Sequence, residues 1–83
     1  MITHRPFNGG ISFQMIFENG LNLSIIQHKS SYSDDKTVEI AVLDPNEEFV
    51  TRDFIKELDD DVKGWVKADE LADLIFEVKN WSN

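Results

Sequence analysis

Two short segments of alternating apolar residues, separated by Glu18-Asn19-Gly20, constrain the fold of this chain more than any other feature. Ile11, Phe13, Met15 and Phe17 share one side of the first segment, and Leu21, Leu23 and Ile25 share one side of the second. Ser12, Gln14, Asn22 and Ser24 fall on the other side, together with Ile16. A period of two over such lengths is that of a half-buried β-strand. The Asn-Gly pair invites a two-residue hairpin loop, but that register would oppose Phe17 to Asn22 and Met15 to Ser24 and split each apolar face. A three-residue loop sets Phe17 opposite Leu21, Met15 opposite Leu23 and Phe13 opposite Ile25. Because a one-residue slip turns every side chain to the other face, the apolar pattern selects the longer loop. It is expected to be a type I turn with Gly20 in the left-handed region as a G1 bulge.

Further along, Thr37 to Leu43 reads as a third strand, apolar apart from Thr37 and Glu39, and hence central. Asp44-Pro45-Asn46 is a turn with Pro45 suited to the second position. Residues 48–52 read as a short fourth strand. Residues 53–67 form an acidic connection that admits two readings. Val50, Phe54 and Leu58 recur at helical spacing, whereas Val62 to Val66 suits an extended segment. In residues 68–80, Leu71, Leu74, Ile75 and Val78, followed by Trp81, make one helical stripe. Asp69 and Glu70 in its first turn and Lys79 in its last suit the helix dipole, while Lys67 is a poor N-cap. Residues 1–10 read as a loose arm and 28–36 as a polar loop. The expected architecture is therefore α+β: a meander of three or four antiparallel strands over residues 11–52, with the C-terminal helix packed on one face.

Eighty-three residues make one domain, and a chain this short has little stability in reserve. Hydrophobic residues make up 41%, enough for a core and against disorder. There is no cysteine, which excludes disulfides, thiolate metal sites and thiol nucleophiles. A small secreted domain usually needs such staples, and residues 1–6 have no apolar signal region, so the cytoplasm is the expected compartment. No apolar run approaches the roughly 18 residues of a membrane span. The formal charge of −8 is unevenly spread, at +1 over residues 1–33 and −9 over residues 34–83. Such a surface disfavours nucleic acid and anionic lipid and suits a basic protein partner, although acidic blocks also serve solubility alone.

One segment resembles a metal-binding motif. Laid on a twelve-residue EF-hand loop, residues 59–70 put Asp59 and Asp61 at the first and third positions, Gly64 at the sixth and Glu70 at the twelfth. Lys63 and Lys67 fall where oxygen ligands belong, so a solvated acidic turn is the stronger expectation. No catalytic set is evident. His4 lies in the arm and His28 at a strand end, Ser30 and Ser31 have no adjacent base, and Asp59-Asp60-Asp61 is a run of acids in like environments. No cofactor motif is present. Asp59, Asp60, Asp61, Trp65 and Phe76 are the interaction candidates, as acids or aromatics outside the apolar pattern. An exposed strand edge leaves both a monomer and a weak homodimer open.

The chain resembles a group of small bacteriophage-encoded proteins. The likeness rests on Phe17-Glu18-Asn19-Gly20, Ser24-Ile25-Ile26, Ser31-Tyr32, Glu39-Ile40-Ala41-Val42 and Asp61-Val62-Lys63-Gly64 before a C-terminal helix. It departs from the group at Ser33-Asp34-Asp35, where glycines are usual, and at Lys67, where Thr or Ser is usual. The resemblance implies phage origin and carries no catalytic residue across. Three roles follow as expectations: a non-enzymatic accessory protein that binds a host protein, a DNA mimic that occupies a basic nucleic-acid-binding site, or a degenerate calcium binder.

Overall fold

The structure, a computed structural model, describes residues 1–7, 10–27 and 36–82, with the backbone alone for 4–7. His28, Ser30, Ser31 and Tyr32, singled out in the sequence, lie outside the described residues. Among the described residues five strands run β1 (Ile2–Phe7), β2 (Gly10–Ile16), β3 (Asn22–Gln27), β4 (Thr37–Leu43) and β5 (Lys63–Lys67), followed by helix α1 (Ala68–Lys79). They form one antiparallel meander in the order β1-β2-β3-β4-β5, so the α+β architecture expected from the pattern is present, with five strands where three or four were expected.

The central hairpin takes the register that keeps the apolar faces whole: Met15 pairs with Leu23 and Phe13 with Ile25. The Gly20 amide donates to the Phe17 carbonyl at 3.0 Å and the Phe17 amide to Leu21 at 2.9 Å. Gly20 has a φ of 89°, and a Cβ there would stand 2.8 Å from Pro45 Cγ, so glycine is required twice over. The same pattern recurs after β4. The Glu47 amide donates to Asp44 at 2.9 Å, the Asp44 amide donates to Glu48 at 2.9 Å, and Glu47 takes the left-handed position with a φ of 64°. There the Asp44 carboxylate accepts the amides of Asn46 and Glu48, which offsets the cost of a non-glycine residue.

Register places Leu23 and Ile25 of β3 on one face with Ile40 and Val42 of β4 and Val66 of β5, and Leu21, just before β3, joins their cluster. Leu74 and Val78 of α1 close on this front face, with Met15, Phe17, Leu71 and Ile75 at the margins. The helix begins directly where β5 ends, with Lys67 as an extended N-cap that makes no side-chain cap bond. Its other end is held by the hairpin. Asn19 Nδ2 donates to the Val78 carbonyl at 2.8 Å and the Trp81 carbonyl at 3.1 Å, and its Oδ1 accepts the Leu21 amide at 3.0 Å. One turn residue thus satisfies carbonyls that a helix leaves open at its C-terminus. Asn19→Ala is expected to cost about 1 kcal/mol and to fray the last turn first, seen as faster amide exchange at 76–80 than in β3.

Two expectations are corrected, and one of two open readings is selected. Residues 2–7 are not a loose arm: they pair with β2 from Ile2↔Met15 to Phe7↔Gly10, and the Met1 carbonyl accepts the Ile16 amide at 2.8 Å. The strand is made by backbone bonds at a sheet edge, where Pro6 is tolerated. Residues 48–52 do not form a strand. Phe49 makes a single bridge to Leu43, and a 3₁₀ turn follows at Thr51–Asp53. The last strand is instead β5, in the extended alternative for residues 62–66. Its apolar alternation is broken by a bulge opposite Glu39, where Trp65 sits at a φ of 56°.

Candidate functional site

The 3₁₀ turn matters because it carries the chain across the end of β4. Beyond β5, the Val42 amide has no strand to bond. The Thr51 hydroxyl accepts it at 2.9 Å and donates to the Asp61 carbonyl at 2.6 Å. The Val50 amide donates to the Val42 carbonyl at 2.8 Å. Thr51 is 1% exposed, so one buried hydroxyl ties β4 to both ends of the acidic connection. Phe54 then turns onto Trp81, with ring centroids 4.6 Å apart, and Ile55 packs against the core.

This route opens a groove between residues 54–55, β5 and α1. Its floor is Phe54, Ile55, Val66 and Leu74, and its volume is about 230 Å³. One wall is the shoulder of α1, where Glu70, Asp73 and Glu77 follow one another at helical spacing and all are exposed. Lys63 stands on the opposite rim. An apolar floor beside three carboxylates can take an apolar side chain and pair with cations next to it. The floor contributes about 2 kcal/mol for one fully buried aliphatic side chain. The carboxylates act chiefly on encounter rate and orientation, and salt screens them over about 8 Å.

The residues singled out in the sequence are dispersed. Asp59, Asp60 and Asp61 are exposed and belong to the wrapping of the connection. The carbonyls of Asp59 and Asp60 accept Arg52 guanidinium donors at 3.4 and 3.3 Å, and the Asp61 carboxylate lies 3.8 Å from Arg52. That pair is half exposed on both sides and contributes under about 1 kcal/mol. Trp65 is 55% exposed at the β5 bulge, and Phe76 is 66% exposed on the side of α1 away from the core stripe. Neither lines the groove. The EF-hand register is not realised over residues 59–70. Lys63–Lys67 is a strand bonded to β4 and cannot curl around an ion, and only a single 3₁₀ turn precedes the segment where the incoming helix would lie. Among the described residues, no three His, Asp or Glu are grouped to hold a metal ion. Among the described residues no helix is long and apolar enough to cross a membrane.

Of the groove residues, Glu70 alone was a candidate site residue in the sequence, and for calcium. The spacing of Glu70, Asp73 and Glu77 was there to be read, but half of the floor, Phe54 and Ile55, lies about 15 to 23 positions upstream and only the fold brings it alongside. No family model, curated protein or solved structure matches this chain.

Proposed function

We propose that this protein is a non-enzymatic accessory protein that binds a basic protein partner through the groove beside α1. The carrying observation is the joint placement of an apolar floor and three exposed carboxylates, Glu70, Asp73 and Glu77, along one wall. The net charge of −8 supports it by steering cationic surfaces toward the protein. The bacteriophage resemblance extends the reading: the partner is a host protein and the site of action is the host cytoplasm. The DNA-mimic alternative needs a continuous row of acids. Among the described residues the acids occupy the hairpin tip (Glu18), β4 (Glu39), the turn at 44–48, the connection at 53–61 and α1, which favours a local site over mimicry.

The test is to capture and identify the host partner with the tagged protein, then to titrate the purified pair. E70K/D73K/E77K is expected to weaken the complex at least tenfold, mainly through a slower on-rate, while Phe76→Ala leaves it unchanged. Equal affinity of the triple variant would sink the groove reading. Displacement of the partner by duplex DNA would favour mimicry instead.

A further inference from the structure

The face of the sheet away from α1 poses a separate question. An antiparallel sheet with one covered face ordinarily turns a polar face to water. Register puts Ile16 of β2, Ile26 of β3, and Ala41 and Leu43 of β4 on this rear face, among Ser12, Gln14, Asn22 and Ser24. Phe49 and Val62 approach it from the connection and help to line a shallow hollow of about 230 Å³. Phe49 is 51% exposed and Ile16 is 38% exposed. The charge on this face is as telling as its apolar content. By register the five strands place one acid on this face, Glu39 of β4, against two bases, Lys67 of β5 and Arg5 of β1, in a chain whose net charge is −8.

That combination selects the occupant. A basic partner gains little from a face whose one acid, Glu39, is outnumbered by bases, and it has the acidic wall of α1 to go to. Two copies of this chain, at −8 each, repel through most of their surfaces. The rear face, with Phe49, Ile16 and Ile26 on it and no excess of acids, is where they meet with least repulsion and with apolar contact. We propose that the rear face of the sheet is the interface of a symmetric homodimer, in which two copies stack rear face to rear face and Phe49 of each packs on its partner. Two sheets so packed lie about 10 Å apart, with side chains from both filling the layer between. The contact is isologous, so each Phe49 is used twice and assembly stops at two. A sheet of five short strands, at standard spacings, offers a face on the order of 500 Å² per copy. The total, about 1,000 Å², lies at the low end of specific interfaces and makes the dimer weak, dissociating in the micromolar range or above.

Sedimentation equilibrium of the full chain tests this over about 10 µM to 1 mM. A monomer–dimer equilibrium is expected, and it should tighten as salt is raised from about 50 to 500 mM, because screening removes repulsion and leaves apolar contact intact. Phe49→Asp, which adds a second carboxylate to the face of each copy, is expected to weaken the dimer at least tenfold, and Ile26→Asp likewise. Phe76→Asp, on the outer side of α1, should leave it unchanged. Phe49 is half exposed, so its variant should fold, and circular dichroism checks that. Phe49→Ala should weaken the dimer in the same direction without a new charge. A monomer at every concentration overturns the proposal, as does a dimer insensitive to both Phe49 variants or abolished by Phe76→Asp.

Discussion

Leu23→Ala is expected to destabilise the protein by about 3 kcal/mol, within the range of roughly 2–5 for buried leucine truncations. Leu23 is fully buried on the central strand, between Met15 of β2 and Val42 of β4, in the cluster that also holds Leu74 and Val78 of α1. The β-strands on both sides hold their backbone positions through the ladder, so the site cannot collapse and the cavity persists. A domain of this size has only about 4–12 kcal/mol in total, so the variant should be near or past its stability threshold at 37 °C. In urea the midpoint should fall with the slope retained, and the thermal midpoint should drop by about 12–24 °C. Phe76→Ala, on the exposed side of α1, serves as the control and should lie within about 0.5 kcal/mol of the parent. A loss below about 1 kcal/mol for Leu23→Ala would mean that the core is not centred on this face.

Thr51→Val should cost about 2 kcal/mol although it preserves the volume of the side chain. The hydroxyl answers the Val42 amide and the Asp61 carbonyl, and valine leaves the amide buried with no acceptor. An unpaired buried donor costs more than the net value of the bond it lost, which is why an isosteric change is damaging here. Thr51→Ser retains the oxygen and should lose only about 1 kcal/mol, for a methyl group. The two variants are separated best by amide exchange at Val42, fast in the valine variant and slow in the serine variant. Because Thr51 also anchors the segment that carries Phe54 and Ile55, the valine variant should weaken partner binding at the groove although residue 51 does not line it. Equal exchange at Val42 in both variants would show that the hydroxyl does not hold this junction.

These two residues mark the limit of what could be read before the fold was seen. Leu23 stands in a period-two pattern, and its burial follows from that pattern alone. Thr51 is one polar residue in an irregular stretch. Nothing local distinguishes it from Thr37 or from the serines, because its role depends on a β4 amide left bare where β5 ends. Asn19 behaves in the same way. The Asn-Gly pair announces a turn, but the bonds from Asn19 to the end of α1 depend on where a helix sixty residues later comes to rest.

By itself the sequence determined the central hairpin, its three-residue loop and Gly20, the turn at Asp44-Pro45-Asn46, helix α1 and the face on which that helix packs. Each rests on a local repeat or on backbone geometry that only certain residues permit, so neighbours in the chain suffice to specify it. The tertiary structure alone decided that residues 2–7 pair as β1, that β5 is bulged at Trp65, that residues 49–53 leave the sheet, and that Glu70, Asp73 and Glu77 stand beside an apolar groove. Edge pairing is made by backbone groups that every residue shares, and a buried polar side chain is defined by a distant partner. Neither leaves a period in the sequence, so both are settled only when the chain has closed on itself.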